Sequence, residues 1–382
     1  MNEIPTQGEH RRRRPWLVIA SAAAAVVVVA AGAVAYQRSS DEPTVTAGET
    51  TTATPEPVLA GSPSPAGPAA ATSSATPAAS ASAAPSASSA RPSAKPKASS
   101  SAPARPTGGG GGGCALPAYP TASCTGVPAG WSPRKTVNEL TISKAGTTIE
   151  NYLVKGSITV KAKNVTIRNT RVYGNINNFI GDQIYGPLTM TNVELVNPPG
   201  ETFTNDSESA IGVADYTCRR CKIINRIEGF RTGGTGYAGA GPVVIEDSFI
   251  QLAVPPGMCA AEDPHGDGVQ AFGGPPTTIR HNTIDQRLDD CPTAPIFIPD
   301  QQSNSGGIVD DNLLAGGSYS LRLMGGNYSS VSGNKIVHGT PGYGPVDVAC
   351  DRIQDWSDNA VVKYDWATGT IQKEVSKLKQ CG

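Results

Sequence analysis

Hydrophobic positions in residues 114–382 recur in short alternating segments, without the 3.6-residue period of a helix. One short segment recurs that is apolar at both ends and carries a small or polar residue, often Asn or Asp, two or three places after the first. Its copies are IRNTRV (167–172), MTNVEL (190–195), CRRCKI (218–223), IEDSFI (245–250), IRHNTI (279–284), VDDNLL (309–314), VSGNKI (331–336) and WSDNAV (356–361). Alternation predicts strands, and the regular recurrence of the segment predicts a stack of similar units.

A second strand-like piece precedes most copies, and glycines often end it. These pieces are AIGVADY, IEGFRTGG, DGVQAFGG, SYSLRLMGG and PVDVACD. Two or three short strands per repeat, with glycine at the corners, predict an all-β parallel β-helix whose coils bury their apolar residues in a common core. A β-sandwich is the alternative, but its turns usually recur at much shorter intervals and without a longer repeated segment.

Asparagine recurs near one bend of the repeat. Side-chain amides at the same bend of successive coils can form a ladder of hydrogen bonds along the stack. We expect this structural role for Asn169, Asn192, Asn282, Asn312 and Asn334. His281 falls at the same bend and is also expected to be structural, whereas His338 follows a strand and is expected to be solvated.

The part of the chain before Cys114 consists of three segments of other kinds. Residues 1–14 form a basic segment with four consecutive arginines, and residues 15–36 are an uncharged apolar run. Such a run is long enough to cross about 30 Å of hydrocarbon as a helix. Residues 37–113 are rich in Ser, Thr, Ala, Pro and Gly, which predicts a disordered linker. The arginines predict a cytoplasmic N-terminus and an exported C-terminal domain, residues 114–382.

The apolar run has two interpretations. We favour a retained single-pass anchor in the cell membrane, so that the lipid bilayer is a partner through residues 15–36. The alternative is a secreted protein cut after Ala33-Val34-Ala35, which has the small-x-small form of a signal-peptidase site. Arg13 to Val18 also loosely resembles a twin-arginine export signal. Each interpretation places residues 114–382 outside the cytoplasm.

All eight cysteines follow the apolar run, and an even number in an oxidising compartment favours disulfides. Proximity along the chain suggests the pairs Cys114 with Cys124, Cys259 with Cys291, and Cys350 with Cys381. Cys218 and Cys221 have the C-x-x-C spacing of a redox pair or of half a zinc site. Because no second C-x-x-C follows, we interpret them as a structural disulfide or as buried thiols.

Outward-facing polar residues of the strand-like pieces form a predicted row. Alignment of the pieces on their Gly-Gly ends places Gln270 beside Arg322, each between two inward apolar residues. We expect Asp347 in the next coil and Arg231 a coil or two away on the other side. Such a row suits a uronate-bearing polymer as a substrate-binding face, because arginine can bind a carboxylate with two hydrogen bonds.

The stretch HGDGVQ (265–270) begins one of these strands, after a loop that carries Glu262 and Asp263. Elimination from a uronate needs a base for the C5 proton and a cation for the neighbouring carboxylate. His265 or Arg322 is the candidate base.

The acidic side chains near this strand are the candidate metal ligands. Glu262, Asp263 or Asp267 could hold calcium, the candidate cofactor. The alternative is purely structural: the two glycines of HGDGVQ mark a tight strand entry, and its His and Asp bond only the loop backbone.

Three stretches resemble secreted actinobacterial right-handed parallel β-helix repeat proteins of the pectate-lyase-like superfamily. They are TGVPAG (125–130), VKAKNVTIRNTRVYG (160–174), and HGDGVQ with the following TIRHNTID (278–285). The resemblance extends over nearly all of residues 114–382. It implies a right-handed coil, and its characterised relatives are mostly polysaccharide lyases and hydrolases that act in a groove along one face. The chain departs from two of these enzyme families: Asp289 and Asp290 are followed by no Arg-x-Lys, as polygalacturonases would have, and the pectate lyase Arg two residues before Pro is missing.

These observations predict an extracytoplasmic β-helix that engages a polysaccharide or cell-wall glycan and acts as a lyase or hydrolase on an acidic glycan. The alternative is a noncatalytic binding or structural module of the cell surface. The chain has 31 Lys and Arg against 32 Asp and Glu, a net charge of −1, and no basic stripe with stacking aromatics, so we expect no nucleic-acid partner. We expect a monomer.

Overall fold

The structure is a computed structural model that describes residues 114, 118–204, 208–234, 239–262 and 264–379. The predictions for residues 1–14, 15–36 and 37–113 fall outside these ranges. Within these ranges, no helix has both the length and the apolar character needed to cross a bilayer. The described fold is therefore that of the predicted C-terminal domain.

Three long sheets contain nearly all of the strands. Sheet A has, in spatial order, Lys135–Val137, Tyr152–Val154, Arg171–Val172, Glu194–Leu195, Lys222–Arg226, Phe249–Ala253, Thr283–Leu288, Leu313–Gly316, Lys335–Val337, Ala360–Asp365 and Thr370–Lys377. Sheet B has Leu140–Ile142, Ile158–Val160, Ile176–Asn177, Ser209–Gly212, Glu228–Thr232, Gly266–Ala271, Pro292–Ile298, Tyr319–Leu323 and Gly344–Val348. Sheet C has Thr148–Glu150, Val165–Arg168, Leu188–Thr191, Tyr216–Arg219, Val243–Glu246, Thr277–Arg280, Gly306–Asp310, Asn327–Ser332 and Trp356–Ser357. A small hairpin (Phe179–Ile180 with Gln183–Ile184), an α-helical turn (Met258–Ala261) and a 3-10 turn (Cys350–Arg352) interrupt the pattern.

The chain visits sheets A, B and C in turn and then begins the next coil. Within the three sheets, the described strands pair in parallel with the strands one coil away, except that Thr370–Lys377 runs antiparallel to its neighbour in sheet A. This is the arrangement of a parallel β-helix, and it excludes the β-sandwich, whose sheets are antiparallel. The strands of the small hairpin are also antiparallel. Right-handedness of the coil stays a prediction.

One inward residue from each of the first eight sheet C strands illustrates the core. Parallel register stacks these residues directly on one another from coil to coil, and none is more than 6 % exposed: Ile149, Ile167, Met190, Cys218, Ile245, Ile279, Val309 and Val331. Full burial of an aliphatic side chain contributes about 1.5–3 kcal/mol. Stacked columns of this kind replace the single compact core of a globular domain.

An asparagine ladder joins the later coils at the corner between sheets C and A. The amide Nδ2 of Asn282 donates to Oδ1 of Asn312, that of Asn312 to Asn334, and that of Asn334 to Asn359, at 2.9 to 3.0 Å. Each of these oxygens also accepts the backbone N–H of the preceding asparagine in the ladder. All four side chains are buried, so the ladder satisfies polar groups that water cannot reach.

Asn169 and Asn192 form an amide hydrogen bond between coils as predicted, but at a different position from the other three asparagines. Both lie one residue earlier in the corner, in a column of residues with φ between 48° and 59°. Asn and Asp tolerate this left-handed conformation better than other residues, which explains why they recur there. Asn192 Nδ2 donates to Asn169 Oδ1 at 2.9 Å, so these side chains also pair between coils, but outside the buried ladder. His281 belongs to the same column, where its Nδ1 lies 2.8 Å from Asp247 Oδ1.

The disulfide predictions are confirmed for Cys114 with Cys124 and for Cys259 with Cys291. Cys350 is also disulfide-bonded, and its predicted partner, Cys381, lies outside the described residues. Cys218 and Cys221 form a disulfide across the corner where later coils place the ladder asparagine. Both are fully buried, which favours the structural interpretation over a redox or zinc site.

We predict that Asn312→Ala lowers the free energy of unfolding by about 3 kcal/mol or more, because it orphans buried groups of Asn282 and the carbonyl of Ile279. Urea unfolding of the full-length protein measures the effect. Asn327→Ala is the matched control, because that side chain is exposed, and it should change stability by less than about 0.5 kcal/mol. Equal effects of the two substitutions would contradict a stabilising ladder.

Candidate functional site

The outward side chains of sheet B form a row along the solenoid axis. Strand register places them in the order Arg231, Gln270, Phe297, Arg322 and Asp347, and we call these five residues the outer row. Neighbouring positions are about 4.8 Å apart, the spacing of paired strands. The predicted alignment of Arg231, Gln270, Arg322 and Asp347 on one face of sheet B is confirmed. The predicted direct contact between Gln270 and Arg322 is wrong. Phe297, from a strand that we had not predicted, separates Gln270 from Arg322.

The two arginines of the outer row are each held by a carboxylate and an aromatic ring. Arg322 Nε lies 3.0 Å from Asp347 Oδ2, and its guanidinium lies 5.2 Å from the centre of the Phe297 ring. The Arg322 to Asp347 contact is an ion pair without hydrogen-bond alignment. Arg322 and Asp347 are both about one-third exposed, so they remain accessible to a ligand.

Arg231, at the other end of the outer row, has a corresponding environment. It donates a 3.0 Å hydrogen bond to Glu228 Oε2, and its guanidinium lies 5.4 Å from the centre of the Phe272 ring. Arg231 Nε is buried without an acceptor among the described residues. Gln270 is only 6 % exposed, because the neighbouring residues largely cover it, and its role in substrate binding stays a prediction.

Two neighbouring strands of sheet B carry the same four-residue motif near their N-terminal ends. It consists of an acid, a glycine, an apolar residue and a long polar residue. The motif reads EGFR at 228–231 and DGVQ at 267–270. In both copies the fourth side chain donates to the first, Arg231 to Glu228 at 3.0 Å and Gln270 to Asp267 at 2.9 Å. The spacing of this motif was visible in the sequence, but we had not identified Glu228 as a site residue.

Strand pairing brings the two acids of the motif together. Because Phe230 pairs with Val269, Glu228 stands opposite Asp267. The intervening glycines allow this approach, since a Cβ on Gly229 would overlap the carbonyl oxygen of Gly268. Two carboxyl groups therefore lie next to each other in adjacent coils.

Burial changes the proton affinity of both acids. It raises the pKa of Asp267 well above the ordinary value, and the negative charge of Glu228 raises it further. The backbone N–H of Ala294 and the Gln270 amide stabilise the ionised form but do not offset these effects. Burial also raises the pKa of Glu228, against the opposing charges of Arg231 and His265.

Asp267 lies beneath the surface of sheet B. It is 0 % exposed, and its two oxygens accept hydrogen bonds from Ala294 N (3.0 Å) and Gln270 Nε2 (2.9 Å). These contacts give Asp267 a positioning role beneath the outer row, and its catalytic and metal-binding roles stay predictions.

His265 and Glu262 lie at the surface, and His265 is close to Glu228. His265 is exposed in the left-handed region, with φ of 46°, and its charge acts on Glu228. Glu262 is exposed directly after the turn Met258–Ala261. Asp263 lies outside the described residues. His265 thus keeps its candidacy as a proton acceptor.

Within the described ranges, one group of side chains has ligand atoms close enough together to hold a metal ion: Cys259, Asp289 and Cys291. Its two sulfurs form a disulfide and cannot bind a metal as thiolates. Neither Glu262 nor Asp267 belongs to this grouping. Among the described residues, no group of three ligands supports the predicted calcium site.

We predict that Asp267→Asn changes the dependence of stability on pH. The raised pKa means that the folded state binds the proton more tightly than the unfolded state, so the wild type loses stability as pH rises from about 4 through the folded pKa. The variant should match the wild type near pH 4 and become the more stable protein at higher pH. Melting temperatures measured across this range test it, and a variant destabilised equally at every pH would refute it.

Comparisons with known proteins supply no relative for this chain. No family model, no curated protein and no solved structure matches it. The interpretation of sheet B therefore depends on the chemistry and geometry of the outer row and the two buried acids.

Proposed function

We propose that sheet B binds an extended acidic polysaccharide, such as a cell-wall glycan with uronate units, along the solenoid axis. The observation that carries the proposal is the outer row, in which two accessible arginines stand three strands apart, with an aromatic ring between them. Three strand spacings are roughly 14 Å, enough for an extended chain to contact both arginines.

The chemistry of the outer row matches such a polymer. Guanidinium groups recognise carboxylates with paired, charge-assisted hydrogen bonds, and an aromatic face packs against the apolar face of a sugar ring. The carboxylates Glu228 and Asp347 hold the arginines in place before the ligand arrives, which reduces the entropy lost on binding.

An extracytoplasmic location fits this partner. Disulfides are typical of oxidising compartments, and the described domain contains three of them in addition to the bonded Cys350. Retention in the membrane through residues 15–36, with the linker 37–113 as a spacer, would hold the domain near the cell surface. Cleavage of the apolar run would release it instead. The resemblance to pectate-lyase-like proteins supports the same kind of ligand.

Hydrolysis of the bound glycan is a second candidate, favoured by the raised pKa of Glu228. A carboxyl group with a raised pKa holds its proton to higher pH, and it can donate that proton to the glycosidic oxygen as the C–O bond breaks. The neutral imidazole of His265, which lies close enough to act on Glu228, would accept the proton of the attacking water. In the alternative β-elimination, His265 or Arg322 would accept the C5 proton. Asp267 holds Gln270 in either case.

We predict that Arg322→Ala weakens binding of polygalacturonate by about tenfold or more, because a charge-assisted hydrogen bond contributes about 1.5–3 kcal/mol. Isothermal titration calorimetry on the full-length protein measures the affinity. Arg280→Ala is the matched control, since Arg280 is a similarly exposed arginine that forms ion pairs on sheet C. A neutral polymer such as dextran should bind neither protein. Equal losses from both substitutions would argue against sheet B as the binding face.

We predict that turnover of a bound polymer, measured as reducing ends and as absorbance of unsaturated products, falls about 100-fold or more in Glu228→Gln. Binding should stay within a few-fold of the wild type. Reducing ends without unsaturated products identify hydrolysis, and unsaturated products identify elimination. If the polymer binds and the wild type releases neither product, the noncatalytic module replaces the enzyme.

A further inference from the structure

A second column of side chains lies beside the outer row on sheet B, and all of its members are apolar. It consists of the residues that directly follow four of the sheet B strands: Phe272, Pro299, Met324 and Ala349. We call these four residues the apolar column. Each of them is partly exposed, so the column offers accessible surface to a ligand.

The backbone ladder of sheet B continues through the apolar column. Met324 N donates to Ile298 O at 2.9 Å, and Ala349 N donates to Leu323 O at the same distance. Phe272 N donates to the coil before it in the same way, at 3.2 Å. These bonds extend the parallel register by one residue beyond the strand ends. The apolar column is therefore stacked coil on coil, as the outer row is.

The apolar column shares the outward face with the arginines of the outer row. The residues directly before it, Ala271, Ile298 and Leu323, are buried in the core, and successive side chains of an extended chain point to opposite faces. The guanidinium of Arg231 lies 5.4 Å from the centre of the Phe272 ring, a contact that requires both side chains on one face. The column lies two residues along the strands from the outer row, a distance of roughly 7 Å.

A loop formed by residues 300–304 borders the apolar column on the side away from the outer row. Asn304 Nδ2 donates to Pro299 O at 3.0 Å, and Asn304 Oδ1 accepts the N–H of Gly274 at 3.0 Å. Both ends of this amide are occupied, so the loop is held at the edge of the column. A polymer on sheet B consequently meets charged groups on one side and apolar surface on the other.

We propose that the outer row and the apolar column together bind a uronate polymer that carries O-acetyl groups. The inference rests on the proposed function, because the carboxylates bind the arginines of the outer row. A uronate ring carries its carboxylate and its secondary hydroxyl groups on different sides, so an acetyl ester reaches the apolar column while the carboxylate stays at an arginine. The methyl group of the ester packs on Met324 and Pro299. An unesterified hydroxyl gains no hydrogen bond from these apolar side chains.

Isothermal titration calorimetry on the full-length protein tests the proposal with polygalacturonate and with the same polymer after O-acetylation. We expect the acetylated polymer to bind at least about fourfold more tightly, the factor expected for burial of one methyl group. Methyl-esterified polygalacturonate carries its added methyl group on the carboxylate itself. It should bind more weakly than the unsubstituted polymer, because esterification removes the charge that the arginines recognise.

Substitutions separate the apolar column from the outer row. Met324→Gln replaces the apolar end of the side chain at similar length and should bring the ratio of the two affinities close to one, whereas Met324→Leu should retain the preference. Arg322→Ala should weaken both polymers by a similar factor and leave their ratio unchanged. Met258→Gln is the matched control, because Met258 is a partly exposed methionine outside sheet B, and it should change neither affinity.

Three outcomes overturn the inference and leave the proposed function standing. These are equal binding of the acetylated and unsubstituted polymers, a methyl ester that binds as tightly as the acetyl ester, and a preference that survives in Met324→Gln. Pro299→Ser, at another partly exposed position of the column, gives the same comparison if Met324→Gln fails to fold. If the wild type binds none of the three polymers, the proposed function and the inference fall together.

Discussion

Parallel backbone hydrogen bonding between successive coils is the constraint on which the whole molecule depends. Each strand is held about 4.8 Å from the next in a fixed register, so a residue acts mainly on the residues directly above and below it. Core side chains, corner asparagines and surface polar groups consequently form columns. A property of one column, such as burial or charge, is shared by residues that are one or more whole repeats apart in the chain.

The corners show how different side chains meet the same requirement. The bend between sheets C and A needs a left-handed residue followed by a group that satisfies buried backbone N–H groups of the neighbouring coil. Four later coils meet the second need with the ladder from Asn282 to Asn359. The coil before them uses the hydroxyl of Ser248, which accepts the N–H of Cys221. The next coil before that has Cys221 at this position, in a disulfide with Cys218. A covalent link and a hydrogen-bond ladder thus occupy equivalent positions.

Stacking also generates the chemical features of the surface. Adjacent EGFR and DGVQ motifs bring two carboxyl groups into one low-dielectric corner, where ionising both is costly. On the accessible side, the same register aligns arginines with their acidic partners and with Phe297. Rigid strands position both features, so ligand binding need not reorganise them.

The sequence alone determined the repeating strands, the parallel β-helix, two disulfide pairs and the outward direction of Arg231, Arg322 and Asp347. Those properties depend on the local alternation and spacing of residues, which can be recognised in a single sequence. Only the tertiary structure decided which coils are neighbours. The strand Pro292–Ile298 contains two prolines and was not recognised, so Phe297 was missing from the row. Burial of Gln270 and Asp267, and the pairing of Asp267 with Glu228, likewise depend on the coils above and below them. Alternation specifies the face on which a side chain lies, whereas its neighbours and its exposure are set by the stacking of distant segments.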